Sequence, residues 1–499
     1  MNAAHRRAAG MRAAEVDAAG MRAAGIDAAG MRATGIDAAG MRATDANAEE
    51  SDEKTHGLAG RTIQYFSPES DDLPPLYGGA RYLLSQRAFR DRIRMVRREL
   101  GDLPLSYAIK ANPPLLHFIP ERGEALQPDA PVITPSSDFA SPCGISRIEV
   151  GSPGEMRISV RLQTDPSRVL YSGILKGPAE IAGAIRSGVR LFTAESPRQA
   201  RLLEEQADMA GVELQILLRL SSGNQFGMDL PTMMGVLRKA EESPHLTFAG
   251  LHYYSGTQKK RARAFERDLD RIRTALRACE ELGFVSRIVE YGPGLATECF
   301  CREEDLLADD PAAAEEYCER ADLAVLREAA PLLKEAAQTI PLELDMGRFI
   351  AAPCGVYQAR VLDLKLSEGI HYGIVNGGTY QLYYQDQEMA SQVPVIYQEP
   401  CRPGERLHYC ICGNLCNGGD VLVRDVHLHA LASGDMLTFA RCGAYSSTKA
   451  PALFFSRDLP AIYMETERGW ECLRKNLPTD PLNMPVVLAP HREEASVEL

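Results

Sequence analysis

No stretch of this chain approaches the ~18 consecutive apolar residues that a membrane-crossing helix requires, so a membrane span is not expected. The first residues lack the hydrophobic core of a secretory signal, and the sequence predicts a cytoplasmic protein. Positive charge is short: 55 Lys and Arg stand against 68 Asp and Glu, a net charge of −13, with no strongly basic run to offset it. Binding to nucleic acid, which depends on neutralising phosphates, is therefore not expected. The 12 cysteines are too dilute in 499 residues to form the disulfide scaffold of a small secreted domain. What remains is ordinary globular composition, 45% hydrophobic and 25% charged, in a chain long enough for more than one domain.

Residues 1–50 are a decaying decapeptide repeat: MRAAEVDAAG, MRAAGIDAAG, MRATGIDAAG, MRATDANAEE. Alanine favours helix, but a glycine closes each of the first repeats at a cost of about 1 kcal/mol, and the ten-residue period rotates any apolar stripe by roughly 80° per repeat. No continuous face forms, so residues 1–57 read as a disordered tail, with repeat-driven self-association as the alternative. From Leu105 onward, short apolar runs alternate with longer amphipathic segments. Eight strands are predicted: Ser106–Ile109, Ser146–Val150, Val169–Ser172, Leu191–Ala194, Leu214–Leu220, Thr247–Tyr253, Arg287–Tyr291 and Pro341–Leu344. The clearest intervening helices are Pro197–Gly211 and Lys259–Gly283. This is the spacing of an α/β fold, a (β/α)8 barrel over residues 86–348. Beyond Arg348 the texture turns β-rich, which predicts a second, antiparallel β domain over 349–499. Residues 58–85, with strand-like Thr62–Tyr65 and Arg81–Leu84, are expected to join it.

Groups that do chemistry in such a barrel stand at the C-terminal ends of the strands. Here those ends carry Lys110, Arg219, the run His252 to Thr257, Gly292-Pro293-Gly294, and Asp345 to Arg348. An amine, hydroxyls, an aromatic ring, a glycine-rich turn, an acid and a cation on one rim suit a phosphorylated carbonyl cofactor. The motifs YAIKANP (107–113), GSPGE (151–155), GLHYYSGTQ (250–258), YGPG (291–294), DMGR (345–348), CGNLCNGGD (412–420) and CGAY (442–445) occur in that order. In that ordered combination the chain resembles the fold-type III pyridoxal-phosphate decarboxylases, the group of ornithine and diaminopimelate decarboxylases. The resemblance implies the alanine racemase-like arrangement of barrel plus β domain, a pyridoxal 5′-phosphate (PLP) cofactor, and a homodimer with shared active sites.

It also implies roles by position. Lys110 matches the lysine that bonds the cofactor aldehyde. Asp345 stands where the family has an acid facing the pyridine nitrogen, usually Glu followed by Pro; the shorter side chain raises the prospect that Glu343 is recruited instead. Gly292, Gly294, Thr257, Arg348 and Tyr445 match phosphate contacts, although Pro293 replaces a glycine and removes one N–H donor. Tyr254 takes the position of a ring-stacking histidine, and His252 reads as a structural rim histidine. Glu149 and Arg219 match positions near the lysine and cofactor, with plain ion pairing as the alternative. Cys416 matches a cysteine that reaches the neighbouring subunit's site and returns a proton to carbon. A metal reading of Cys401, Cys410, Cys412 and Cys416 is disfavoured because the usual paired C-x₂₋₄-C knuckles are missing. A buried, inert thiol at Cys416 is the other alternative.

Asn417 replaces the acidic residue that, in ornithine and diaminopimelate decarboxylases, reads the substrate's distal amine. In GGTYQLYYQDQ (377–387), Tyr380 and Asp386 are the remaining substrate-contact candidates, with Asp420 a weaker source of acid. Tyr254 and FFSRDLP (454–460) resemble the branch that includes a glutamyl-carrier-protein decarboxylase of aminoglycoside-antibiotic biosynthesis. The substrate expected is thus an amino acid that is pathway-specific, of diamino type or tethered to a carrier protein, rather than a simple short diamine precursor. A racemase or epimerase on the same fold, and an inactive regulatory homologue, are the alternatives. An acid at 345 argues against the racemase, and Lys110, Asp345 and Cys416 occurring together argue against the inactive homologue.

Overall fold

The computed structural model describes Phe66 and residues 79–119, 144–240, 242–301, 310–384, 392–466 and 468–484. The decapeptide repeat, Thr62–Tyr65 and Asp386 lie outside these residues. The chain enters through strand β1 (Arg81–Leu84) and helix α1 (Gln86–Leu100). Ser85 caps α1 by accepting the Ala88 N–H (3.1 Å), and Phe89, Ile93, Val96 and Leu100 form its buried stripe.

Eight parallel strands then close into a barrel: β2 (Leu105–Ala108), β3 (Arg147–Val150), β4 (Val169–Tyr171), β5 (Leu191–Ala194), β6 (Leu214–Leu220), β7 (Leu246–Tyr254), β8 (Ile288–Gly292) and, after the short β9 (Phe300–Cys301), β10 (Leu342–Met346). All eight predicted strands are present, two with the predicted ends and six with an end moved by one or two residues. Outer helices follow the same local grammar. In α2 (Pro153–Arg161) and α4 (Pro197–Ala210) a serine caps the helix and proline takes its first position; α3 (Pro178–Arg186) has Gly177 before its proline. The remaining outer helices are α5 (Leu230–Ala240), α6 (Ala262–Glu281) and α7 (Pro311–Ala336).

Side chains two apart on a strand share a face, and this alternation layers the barrel interior. Leu170, Leu191, Leu217 and Ile288 belong to one buried apolar cluster. Two residues further along the same strands come Ser172, Thr193, Arg219 and Glu290, all buried and polar. The interior thus changes from oil to charge within a single step toward the C-terminal rim.

After the one-turn helix α8 (Arg348–Ala351), the chain builds a nine-stranded sheet in the order β16-β15-β12-β11-β1-β18-β19, with β14 and β17 beside it. Its strands are β11 (Gly355–Ser367), β12 (Ile370–Val375), β14 (Ile396–Glu399), β15 (Arg406–Cys412), β16 (Val421–His429), β17 (Met436–Phe439), β18 (Ala461–Thr466) and β19 (Gly469–Arg474); the two-residue β13 (Val393–Pro394) pairs instead with β9. As expected, Arg81–Leu84 joins this domain, pairing with β11 and β18. The expectation of an antiparallel sheet needs one amendment: β1·β18 and β12·β15 run parallel, so the sheet is mixed. Parallel neighbours need long returns, and these close only after the whole barrel or a long loop has intervened.

A buried ion cluster fastens sheet to barrel. Arg441, fully buried, pairs with Glu319 and Asp322 of α7, and Arg92 of α1 reaches Asp322 at 2.6 Å. Arg441 Nε also donates to the Glu298 carbonyl (2.6 Å), and Arg92 Nε to the Phe349 carbonyl (2.7 Å). Because all four charges are satisfied within the cluster, breaking it from one side would strand a buried charge. No helix among the described residues is long and apolar enough to cross a membrane.

Candidate active site

At the C-terminal rim of the barrel lies a cavity of about 560 Å³. Lys110, Glu149, Arg219, Tyr254 and Thr257 line it, as do Gly294, Asp345, Arg348 and Tyr445. Nine of the residues singled out in the sequence are therefore brought to one space, and His252 joins them.

Lys110 leaves β2 in a single 3₁₀ turn, Ile109–Ala111, which lifts its amine onto the rim. Its ammonium pairs with Glu149 on the neighbouring strand β3, while 48% of its side-chain surface stays open. Burial works against the amine's charge, but the carboxylates of Glu149 and Asp345 outweigh it and hold Lys110 above the ordinary lysine value. The same pairing, with help from His252 and the Ser172 hydroxyl, overcomes the burial of Glu149 and pulls it down to about 2.

Asp345, at the end of β10, behaves in the opposite way. Burial first, then the charge of Glu149, pushes its carboxyl up to about 8, against the pull of Lys110. Its Oδ1 is buried and accepts no hydrogen bond. Buried polar oxygens are rarely left so, and one at a cavity wall marks a place for a donor from outside the chain. Glu343, two residues earlier, is not available to replace it: it is bound to Arg147 (2.9 Å) and Ser146 (3.0 Å) inside the barrel.

Opposite these groups two loops meet backbone to backbone. Gly294 has a left-handed φ of +61°, and a Cβ there would come within 2.0 Å of the Gly256 carbonyl oxygen. A Cβ on Gly292 would lie 2.8 Å from the Tyr254 ring, so Gly292 sits behind Tyr254 rather than on the cavity wall. Arg348 stacks on Tyr445, 4.5 Å from the ring centroid. A bare backbone concavity with a hydroxyl, a guanidinium and a phenol beside it suits a phosphate.

Other predicted residues have different placements. Arg219 pairs with Glu195 (2.5 Å) and lies over Phe226, and it also lines the cavity. His252 is held neutral, its value lowered to about 3 by burial and by Arg219. Cys416 and Asn417 are not on the cavity wall. They stand on the turn joining β15 to β16, where Cys416 is exposed and Asn417 Oδ1 accepts the Gly419 N–H (3.0 Å). Asp420 fastens that turn, accepting Thr379 N (2.7 Å), Thr379 Oγ1 (2.8 Å) and Leu415 N (2.9 Å). This full set of partners makes Asp420 a structural clasp. Tyr380 is buried in the β domain, with its phenol pushed up to about 12 chiefly by burial. Cys410 and Cys412 place their sulfurs 3.7 Å apart; among the described residues no three His, Cys, Asp or Glu side chains converge as metal ligands.

Sequence reading missed Glu155, Ser172, Ile174, Leu175 and Phe226, which also line the cavity. It also gave no role to Arg147 and Glu290, whose signal was a charge within a buried strand.

Residues 140–352 match the family model for the pyridoxal-binding domain of pyridoxal-dependent decarboxylases. The chain is a pyridoxal-dependent decarboxylase of the fold-type III family. It is similar to an L-glutamyl-(BtrI acyl-carrier protein) decarboxylase of Niallia circulans, 24% identical over 361 residues, 67% of this chain and 81% of that protein. A diaminopimelate decarboxylase of Vibrio cholerae is 27% identical over 405 residues, 76% of this chain and 85% of that one. In fold, the crystal structure of Helicobacter pylori diaminopimelate decarboxylase complexed with L-lysine superposes with a TM-score of 0.64 at 19% identity, covering 81% of this chain and 96% of that one. The cofactor of this decarboxylase is therefore PLP, and the cavity fits it: an amine for the aldehyde, an unpartnered carboxyl oxygen for the ring nitrogen, and a glycine-walled recess for the phosphate.

Proposed function

We propose that this decarboxylase removes the α-carboxylate of an amino acid whose side chain does not end in a free amine, pathway-specific or tethered to a carrier protein. It works as a cytoplasmic homodimer with two shared active sites. The observation that carries the reading is the buried Asp345 Oδ1, which accepts no hydrogen bond, in the same cavity as the Lys110 amine. Lys110 would hold the cofactor aldehyde covalently and yield that place to the substrate amine. Asp345 would hold the ring nitrogen, keeping a proton there. Thr257, Arg348, Tyr445 and the backbone at Gly294 would hold the phosphate, with Gly292 setting the turn behind Tyr254, whose flat ring would bound the cofactor's face. When bound, PLP supplies a protonated pyridine ring that accepts the electron pair left as CO₂ departs.

The rest is done by the chain. The carbon that loses CO₂ must gain one proton to give the amine, and the Cys416 thiol of the partner subunit would donate it. Arg219, Glu149 and His252 line the floor as a paired and neutral set, so none of them competes for that proton near neutral pH. Tyr380 would support the turn that carries Cys416 and Asn417, and Asp386 remains a candidate substrate contact. Asn417 brings no negative charge to the place where a distal amine would be read, and Asp420 is fully engaged. The similarity to a carrier-protein decarboxylase supports the same direction.

The test is incubation with a panel of amino acids, free and as carrier thioesters, while CO₂ and amine are followed by mass spectrometry. The expected result is stoichiometric CO₂ and amine from at least one member, and neither from Lys110→Ala, which should also lose the borohydride-reducible cofactor adduct. Loss of optical activity without CO₂, or an adduct retained at another lysine, would overturn the reading.

A further inference from the structure

Helix α6 packs on the outside of the barrel with a buried stripe of Phe265, Leu269, Ile272 and Leu276. One acid, Asp268, interrupts that face and is itself buried. Its carboxylate accepts Ser255 Oγ (2.7 and 2.9 Å), the Lys259 ammonium (2.5 Å) and the Tyr291 hydroxyl (2.8 Å).

These donors come from one loop and from the end of a neighbouring strand, β8. Ser255 and Lys259 flank Thr257 by two residues on either side, and Tyr291 immediately precedes Gly292-Pro293-Gly294. Further bonds join the loops that carry Thr257 and Gly294. Lys259 N donates to the Gly294 carbonyl (2.9 Å), Ala296 N to the Lys259 carbonyl (3.0 Å), and the Gln258 amide exchanges two bonds with the Thr297 backbone (2.8 and 3.0 Å). Both walls of the glycine recess are thus held in register, and one carboxylate outside the barrel holds each wall by a side chain.

We infer that Asp268 is the positioning residue of the cofactor's phosphate site: it sets the spacing of the Thr257 and Gly294 loops and does not touch the phosphate itself. This rests on the PLP reading above. A negative charge on the helix is suited to the task because a carboxylate accepts several donors at once, and charge-assisted bonds hold shorter and firmer than neutral ones. An apolar residue in its place would complete the helix stripe but leave three polar groups, two on the Thr257 loop and one at the end of β8, without a common anchor.

The test compares affinities for PLP and for pyridoxal, which has the same aldehyde and ring but no phosphate, by absorbance titration of cofactor-stripped protein. The parent should bind PLP more tightly than pyridoxal. Asp268→Asn should weaken PLP by about tenfold and pyridoxal by less than about twofold. A merely structural role would lower both affinities alike, or only the melting temperature, and either result would overturn the inference. Should Asp268→Asn fail to fold, the double variant Ser255→Ala/Tyr291→Phe keeps the Asp268–Lys259 pair and decides the matter. Its ratio of PLP to pyridoxal affinity falls if Asp268 acts through these loops and stays at the parental value if it does not. A parent that takes up no PLP would instead sink the functional reading itself.

Discussion

The barrel rim and the β15–β16 turn carry the two halves of the proposed chemistry, and they are built by opposite means. At the rim, eight strand ends converge, so residues from distant parts of the chain are forced into one enclosed space. At the turn, a single buried carboxylate, Asp420, gathers nearby backbone and hydroxyl donors and leaves Cys416 and Asn417 facing outward. A closed barrel completes its geometry within one molecule. A clasped hairpin turn presents its groups outward, and in the proposed homodimer they would meet a second copy of the chain.

The sharpest way to break that comparison is subunit complementation. Lys110→Ala and Cys416→Ala should each lack normal amine production as homodimers. Mixed after dissociation, they should recover about a quarter of the parental amine yield, because half the dimers are hybrids and each hybrid keeps one intact pair. Recovery is read as amine against aldehyde by-product. If mixing restores nothing while hybrids demonstrably form, Lys110 and Cys416 serve the same chain's site and the contrast between rim and turn collapses.

A second test concerns the rim alone. Asp345 carries a carboxyl raised to about 8 from an ordinary 3.8. A carboxyl raised by folding contributes stability that is present below the unfolded value and is lost as pH rises through the folded one. The cofactor-free protein should therefore lose stability between pH 4 and 8 on account of this residue. Asp345→Asn removes that loss, so its gain in melting temperature over the parent should grow across this window and level off above it. The difference at pH 8.5 should be on the order of a few degrees. A gain that is the same at pH 5 and pH 8.5 would show that Asp345 ionises normally. The turn has no counterpart: Asn417 bears no charge, and Asn417→Ala should shift stability equally at every pH.

The rim was far more legible in the sequence than its support. Strand ends could be read because apolar runs stop where Lys110, Thr257 and Asp345 begin, and because serine and proline punctuate the helices that follow. The pairing of Arg147 with Glu343, and the interior placement of Glu290, were hidden because a charge inside a strand gives no hint of which distant strand will meet it. Asp268 was hidden for a related reason. Its place on an apolar helix stripe is visible, but its partners lie at the ends of two other strands. The parallel neighbours β1 and β18 are separated by most of the chain, and no local pattern encodes such a contact. Tyr380 shows the limit from the other side: the motif could be read as a substrate contact, while the fold buries the ring beside the turn instead.

The smallest expected effect tests the turn alone. Asn417 is exposed, and its Oδ1 accepts the Gly419 N–H, a bond that an aspartate oxygen can equally accept. Asn417→Asp should therefore leave the fold and the melting temperature unchanged while placing a negative charge beside Cys416. A charge-assisted contact to a distal amine is worth about 1.5–3 kcal/mol, so kcat/KM for lysine, ornithine or diaminopimelate should rise by about ten- to a hundredfold. The native substrate should lose efficiency in the same variant. A matched rise for substrates with and without a distal amine would show that the new charge acts on Cys416 rather than on the side chain, and would remove Asn417 from substrate selection. No change for any substrate would place the turn away from the cavity of the other subunit.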